Sequence, residues 1–238
     1  MKLFVSAAAV LLASLLAACS PNEPAARDTG PATRPIAKDI PAGAYELDPA
    51  HASLIFRVDH LGFSNYTARF KRFTAQLQFD PQNLAASTLS VNVDPRSIET
   101  DFPDPAKLDF NATLQSEQWL NTAQYPDLSF RSTGIAVTGA NTLRVTGDLT
   151  LRGVTKPVVL DTTFNGGYAG HPMDPRARIG FSARGSLKRS DFGVSFGIPE
   201  PGTTLGVSDQ VEVIIESEFS GPPLPNAAAG AAGTTAEH

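Results

Sequence analysis

Residues 143–164, LRVTGDLTLRGVTKPVVLDTTF, contain two runs of alternating apolar and polar side chains joined by a short turn. Leu143, Val145 and Leu149 share one face of the first run. The second run repeats the pattern with Val158, Leu160 and Phe164. Because successive side chains of a β-strand point to opposite faces, each run predicts a strand with one buried face. The turn residues Arg152-Gly153 between the runs predict two antiparallel strands.

The same alternation extends in both directions and predicts about eight strands in all. The apolar faces of the other six are Leu54, Phe56 and Val58; Phe73, Ala75, Leu77 and Phe79, after Phe70; Leu89, Val91 and Val93; Leu128, Phe130, Ile135 and Val137; Ile179, Phe181 and Ala183; and Val211, Val213 and Ile215. Turn-forming composition separates them at residues 80–81, 138–141, 165–167 and 202–206.

The predicted fold class is all-β, an eight-stranded antiparallel barrel with a short helical insertion at residues 103–122. Eight strands close into a barrel wide enough to be filled by side chains or to hold one small ligand. A sandwich of two sheets would bury the same alternating faces, so periodicity alone leaves both architectures open.

The two ends of the chain have a different composition from the strand-forming part. Residues 1–18 combine Lys2 with an apolar run too short for a transmembrane helix, which predicts an export signal. Leu16-Ala17-Ala18-Cys19 resembles the bacterial lipobox, in which the cysteine is lipidated; the alternative is an ordinary secretory signal. By resemblance to the sorting pattern of such lipoproteins, Ser20 favours the outer membrane of a Gram-negative bacterium.

Four regions follow from this composition. After the signal at residues 1–18, residues 19–43 are rich in proline and predict an extended tether. Residues 44–219 hold the predicted barrel, and residues 220–238 predict a disordered tail. Export predicts a periplasmic location, with attachment to the membrane through acyl chains on Cys19.

Composition also excludes several classes of function. The formal net charge is −5, which argues against nucleic acid as a partner. Cys19 is the only cysteine, so the chain has no thiol pair and no cysteine-built zinc site. The four histidines lack metalloprotease spacing, and no phosphate-binding, dinucleotide-binding or nucleophile-elbow motif occurs. We therefore expect no enzyme, no bound metal and no cofactor.

Several segments, taken together, resemble the YceI family of bacterial periplasmic lipid-binding proteins. They are YELDPAHASLIF at residues 45–56, HLGFS at 60–64, YPDLSFRST at 125–133, VTGDLTLRGVTKPV at 145–158, IGF at 179–181, KRSDFG at 188–193 and VSDQV at 207–211. The resemblance implies a lipocalin-like barrel without catalysis, often dimeric, whose long apolar cavity binds polyisoprenoids. Where the family usually has Asp-x-His-Leu-Arg-Ser, residues 109–116 read DFNATLQS, without the histidine and arginine.

The candidate ligand-binding residues are inward aromatic side chains and three polar groups. They are Phe56, Phe70, Phe73, Phe79, Phe130, Phe181, His51, His60 and Arg189. The phenylalanines form either a ligand-contacting wall or an ordinary packed core. His51 and His60 either approach a head group near the barrel mouth or satisfy backbone groups. Arg189 either pairs with an anionic head group or lies in a strand-end turn. Trp119 is expected to pack the insertion onto one end of the barrel.

The sequence thus predicts a lipid-anchored protein that binds a long-chain amphiphile, such as a polyisoprenoid or an isoprenoid quinone, as carrier, store or sensor. The alternative is an envelope stress or scaffold barrel without a physiological ligand. A hollow interior would favour the first function, and an interior filled by side chains would favour the second.

Overall fold

The computed structural model describes residues 39–223, which form one antiparallel sheet closed on itself. Its elements are β1 Gly43–His60, β2 Ser64–Phe70, β3 Phe73–Phe79, β4 Thr88–Val93, β5 Ile98–Glu99, α1 Phe110–Gln115, β6 Leu128–Val137, β7 Thr142–Leu151, β8 Val154–Tyr168, β9 Arg176–Lys188 and β10 Val207–Pro223. None of the helices in this part of the chain has the length and apolar character needed to span a bilayer.

Two strands of the barrel are interrupted, so the ten segments form eight strands around the ring. The first half of β1 pairs with β3 and its second half pairs with β2, which makes β2 and β3 successive parts of one antiparallel partner. A short 3-10 turn, Pro95–Ser97, likewise separates β4 from β5. Pairing of β10 with β1 closes the ring. The predicted eight-stranded barrel is confirmed, and the sandwich alternative is wrong.

Long β1 carries a three-residue bulge that divides it into two parts. Leu47 pairs with Phe219, and Ala52 pairs with Ser217. Residues 48–51 of β1 therefore lie opposite Glu218 alone. The bulged segment is fixed by a local turn in which the Ala50 backbone N–H donates to Asp48 Oδ1, at 3.0 Å. Before the bulge, the odd-numbered side chains of Tyr45 and Leu47 face inward. Because the bulge adds an odd number of residues, the even-numbered side chains of β1 face inward after it.

The predicted turn at Asn165-Gly166-Gly167 is wrong, because β8 continues to Tyr168. The strand accommodates these residues by a bulge between Phe164 and Gly166 opposite β9. A Cβ atom at Gly167 would lie 2.5 Å from the Arg178 carbonyl oxygen, so the glycine permits a close backbone approach here. The chain reverses later, at a turn that His171 and Asp174 close by backbone pairing.

The helical insertion is shorter than predicted, since only Phe110–Gln115 is α-helical within residues 103–122. Asp109 caps the helix by accepting from the Ala112 N–H at 2.8 Å, and the chain leaves the helix at Ser116. Successive turns carry the remaining residues to β6. Pro103, Asp104 and Pro105 before the helix, and Asn121 with its left-handed φ of 48° after it, favour turns over a longer helix.

The barrel also extends beyond the predicted boundary at residue 219. Ser220 and Pro223 still pair with Arg178 and Arg176 of β9, so the ordered strand includes the first residues assigned to the tail. Cys19, residues 20–38 of the tether and residues 224–238 of the tail lie outside the described residues, whereas Ile40, assigned to the tether, is 2% exposed and Gly43 begins β1.

Aromatic side chains pack across one end of the barrel, which we call the closed end. This floor cluster consists of Tyr45, Phe79, Phe164, Ile179 and Phe219, each at most 4% exposed. Each residue comes from a strand segment that starts or ends at the same edge of the ring. Burial of each large apolar side chain contributes about 1.5–3 kcal/mol to the free energy of unfolding.

Tyr45 is fully buried in the floor cluster, and its hydroxyl donates to the Pro41 carbonyl at 2.7 Å. Burial raises the pKa of the Tyr45 hydroxyl to about 12. The ring rests directly against the backbone of Gly221 on β10, where an added methyl group would overlap it.

We predict that Gly221→Ala lowers the free energy of unfolding by about 1–3 kcal/mol, because the methyl group must displace a ring that has no free space. Urea denaturation followed by circular dichroism measures the change. Gly134→Ala is the matched control, since no atom lies within 4 Å of the added Cβ there. Equal stability of the two variants would contradict the packing of Gly221 on Tyr45.

Candidate functional site: an apolar lumen

The barrel is hollow, with an internal cavity of about 600 Å³. Side chains from all eight strands and from the insertion line it. Ala75, Ala183 and Gly185 occupy inward positions, so the strands do not fill the space between them. Phe56 and Val213 face the lumen yet remain only partly buried. The volume lies within the range of about 300–1,000 Å³ that is typical of small-molecule sites.

Nearly every atom on the cavity wall is apolar, and most polar side chains there already have partners. The Tyr66 hydroxyl donates to the Thr100 carbonyl at 3.1 Å, and the Ser217 hydroxyl donates to the Phe181 carbonyl at 3.3 Å. Ser87 Oγ accepts from the Asp80 N–H at 2.9 Å, and the Thr162 hydroxyl donates to the Leu160 carbonyl at 3.4 Å. A hydrocarbon therefore meets a wall that requires no hydrogen bonds from it.

The structure places most of the predicted site residues on the cavity wall. Those that line it are Phe56, Phe70, Phe73, Phe79, Phe130, Phe181, His60 and Arg189. Four of the phenylalanines, Phe79, Phe130, Phe181 and the partly exposed Phe56, come from different strands, so the aromatic surface surrounds the lumen. Whether these side chains contact a ligand stays a prediction.

His51 is not on the cavity wall, contrary to the placement expected from the sequence. The bulge in β1 carries it to the outer surface, where its Nδ1 atom lies 3.0 Å from Asp48 Oδ2. Its side chain is 59% exposed. Because the lumen is on the other face of the strand, His51 cannot touch a molecule held there.

Arg189 lines the cavity, but its guanidinium is already occupied. It donates to four backbone carbonyls, those of Ser208, Val207, Val194 and Phe196, at 2.7–3.0 Å. Its face also lies 5.4 Å from the Trp119 ring centre, and burial lowers its pKa. Arg189 therefore ties the loop at residues 193–206 to β10, in the strand-end turn that was one of the two alternatives, and its pairing with an anionic head group stays a prediction.

His60 differs from the other polar residues of the wall because it ends β1 at the edge of the cavity and is exposed. Within residues 39–223 its imidazole makes no hydrogen bond to another residue. Leu108 of the insertion is also both exposed and part of the wall. These two residues identify the end opposite the floor cluster as the mouth of the cavity, which we call the open end.

The insertion covers part of the open end, as expected for Trp119. Trp119 lines the cavity, and its ring meets Phe196 of the 193–206 loop edge to face at 5.5 Å. Phe102, Phe110, Leu114 and Leu120 complete this apolar cover. Sequence reasoning did not select these residues, since their irregular spacing lacks the alternation that identified the strands.

An ion-pair network lies outside the barrel near the closed end. Arg178 donates to Asp48 at 2.6 Å and to Asp174 at 2.7 Å, which raises the pKa of the guanidinium. Hydrogen bonds from His51 and Arg178 lower the pKa of Asp48 to about 2, and Asp48 in turn raises the pKa of His51. Asp48, His51 and Glu218 lie close enough to share a cation, but Arg178 already neutralises Asp48.

Comparison with known proteins agrees with this architecture, a lipocalin-like β-barrel with an apolar lumen. The chain is 37% identical over 182 residues to Protein YceI of Escherichia coli O157:H7, covering 74% of this chain and 86% of that protein. Residues 45–219 match the YceI-like domain. The chain therefore belongs to the YceI family, and the resemblance drawn from its motifs is confirmed.

Two solved structures share the fold. The crystal structure of Burkholderia cenocepacia BcnA has a TM-score of 0.61 at 26% identity and covers 72% of this chain and 98% of its own. A polyisoprenoid binding domain from Saccharophagus degradans, implicated in plant cell wall breakdown, has a TM-score of 0.55 at 15% identity, covering 76% of this chain and 100% of its own. At that identity the second likeness concerns the fold alone.

The Asp48 network predicts a loss of stability in acid. An unfolded aspartate titrates near pH 4, whereas folded Asp48 titrates at about 2, so its stabilising effect is present above pH 4 and is lost as the pH falls toward 2. We predict that Asp48→Asn lowers the free energy of unfolding by on the order of 1 kcal/mol at pH 7, after solvent screening. The free energy of unfolding of this variant should also change less between pH 4 and pH 2.

Urea unfolding at successive pH values between 2 and 7 measures the profile. The control is Asp161→Asn, which breaks an ion pair with Arg144 at a carboxylate that is 73% exposed. An acid profile that is as steep in Asp48→Asn as in the unaltered chain would contradict the role of Asp48.

Proposed function

We propose that this protein binds a long-chain amphiphile, such as a polyisoprenoid or an isoprenoid quinone, inside the barrel as a carrier, store or sensor. The observation that carries the proposal is the hollow lumen of about 600 Å³, whose wall leaves almost no polar group without a partner. A related fold described as a polyisoprenoid binding domain supports the same ligand class. The alternative, a scaffold barrel without a ligand, predicts a filled interior and therefore agrees less well with the hollow lumen.

The energetics favour exchange of lipid with membranes. Each isoprene unit gains about 3–4 kcal/mol on leaving water for an apolar cavity. A bilayer offers the same gain, so transfer between bilayer and barrel is nearly neutral. Selection among lipids then depends on the shape of the lumen and on contacts with the polar head.

Binding also fits the polar groups of the site better than catalysis does. Among the described residues that line the cavity, His60 and Arg189 are the only ionisable groups apart from the Tyr66 phenol. Arg189 and Tyr66 hydrogen bond to backbone carbonyls. No second acid or base therefore meets His60 to share a proton transfer.

We predict that Val213→Trp abolishes lipid binding, because the indole projects into the lumen beside Gly185. The purified protein is extracted with organic solvent for mass spectrometry, and uptake of an isoprenoid quinone is followed by its absorbance in gel filtration. We expect at least about a tenfold loss of bound lipid with an unchanged circular dichroism spectrum. Arg57→Trp is the control, since Arg57 lies on the outer face of neighbouring β1.

Absence of lipid from the unaltered protein, together with no uptake of quinones or prenols, would contradict the proposed function. Equal uptake by Val213→Trp and the unaltered chain would place the ligand outside the lumen.

We further propose that the polar head of the ligand lies at the mouth beside His60. We predict that His60→Ala weakens binding of an isoprenoid quinone about three- to tenfold, the effect of one lost hydrogen bond. A prenyl hydrocarbon without a head group should bind the two proteins equally, as measured by competition. A uniform loss for both ligands would indicate that His60 acts only through the shape of the mouth.

We also propose that the protein is exported and held on the periplasmic side of the outer membrane by acyl chains on Cys19. The lipobox-like Leu16-Ala17-Ala18-Cys19 and Ser20 support this location. Several chains on one cysteine would anchor it firmly, whereas a single chain binds only marginally.

We predict that the unaltered protein partitions into the detergent phase of Triton X-114, while Cys19→Ser moves to the aqueous phase. Separation of inner and outer membranes then tests the sorting. Recovery of the unaltered protein in the aqueous phase would contradict lipidation.

A further inference from the structure

The open end carries an exposed apolar surface beside the mouth of the cavity. Phe63 in the turn between β1 and β2 is 84% exposed, Leu205 is 77% exposed and Phe196 is 51% exposed. We call the two segments that hold them, residues 60–64 and 193–206, the rim arc. Side chains of this size are expensive to leave in water, so their grouping at one opening requires an explanation.

The rim arc is one connected surface, although its two segments are distant in sequence. The Leu61 N–H donates to the Gly206 carbonyl at 2.9 Å, and the Val207 N–H donates to the Gly197 carbonyl at 2.8 Å. Arg189 fixes the second segment further through the carbonyls of Val194 and Phe196. The exposed side chains are thus presented on a fixed base next to His60.

The rim arc carries little charge compared with the ion-paired sides of the barrel. Glu200 is its only acidic or basic residue apart from His60. The sides of the barrel carry ion pairs such as Arg144 with Asp161 and Arg184 with Glu212. At the closed end, exposed Met173 lies beside the Asp174–Arg178 pair. Leu108, on the insertion side of the mouth, stands between Lys107 and Asp109, whereas no acidic or basic residue flanks Phe63, Phe196 or Leu205 in the chain.

We propose that the rim arc docks on the surface of a lipid bilayer, so that lipid passes between membrane and lumen without crossing water. This inference rests on the proposed function, because docking serves to exchange the ligand with the bilayer. Aromatic side chains are favoured at the membrane interface, and a surface with so little charge suits uncharged or zwitterionic lipid.

The size of the surface favours a bilayer over a second copy of the chain. The three side chains offer roughly 400 Å² of apolar area, since a fully exposed aromatic side chain presents about 150–250 Å². A specific protein interface buries about 800 Å² on each partner, so this surface alone would not hold a stable dimer.

The test uses the full chain with Cys19→Ser, so that no acyl anchor contributes, and vesicles of phosphatidylcholine. We expect the chain to float with the vesicles at both low and high salt. Phe63→Ser/Leu205→Ser should reduce the floating fraction and the rate of quinone transfer between vesicles by about tenfold. Both residues are exposed, so the barrel should fold normally. The matched control is Met173→Ser, since Met173 is 90% exposed and lies at the closed end. It should change neither the floating fraction nor the rate of quinone transfer.

Flotation tests the docking surface, and quinone uptake in solution tests the proposed function. Flotation of Phe63→Ser/Leu205→Ser equal to that of the Cys19→Ser chain would overturn the docking surface, whatever the lumen binds. A dimer in sedimentation that this double variant dissociates would also overturn it, by assigning the rim arc to a second copy. Absence of quinone uptake in solution, with flotation intact, would refute the proposed function and leave docking supported.

Discussion

Closure of the sheet by β1 and β10 is the constraint on which the rest of the structure depends. The pairing extends from Glu46 to His60 on β1 and leaves no free edge along most of the ring. Once the ring is closed, every inward side chain faces the same enclosed space, and strand number fixes its width. Eight strands with small inward residues such as Ala75 and Ala183 then leave a lumen that the remaining side chains do not fill.

A hollow barrel must obtain its stability away from the lumen. Here the floor cluster supplies close aromatic packing at one end, where Phe181 also contacts both Phe164 and Phe219 edge to face. Near the other end, Arg189 donates to four backbone carbonyls of a loop and of β10. The strand ladders join these two regions along the wall of the lumen.

The alternation of apolar residues was sufficient to predict the eight strands and the phenylalanines that face inward, because both depend on a period of two. It could not predict the volume of the lumen, which depends on the distance between opposite walls. His51 was misplaced because it lies within the bulge between Leu47 and Ala52, which carries it to the outer surface near the closed end, and no local signal marks the length of this bulge. The sequence could not choose between the two roles of Arg189, because the carbonyls that accept from it come from positions 194–208, which only the fold brings together.

The asymmetry between the two ends gives the lumen a direction. A tail that enters at His60 meets apolar wall until it reaches the floor cluster, where packed aromatic rings stop it. In the proposed function the polar head would remain at the open end, because burying it would break its hydrogen bonds without replacing them. The same end carries the insertion, whose Trp119 contacts Phe196 across the mouth. If the proposed function holds, the loops of the open end select which lipids enter, and the packing of the closed end limits the length of the tail.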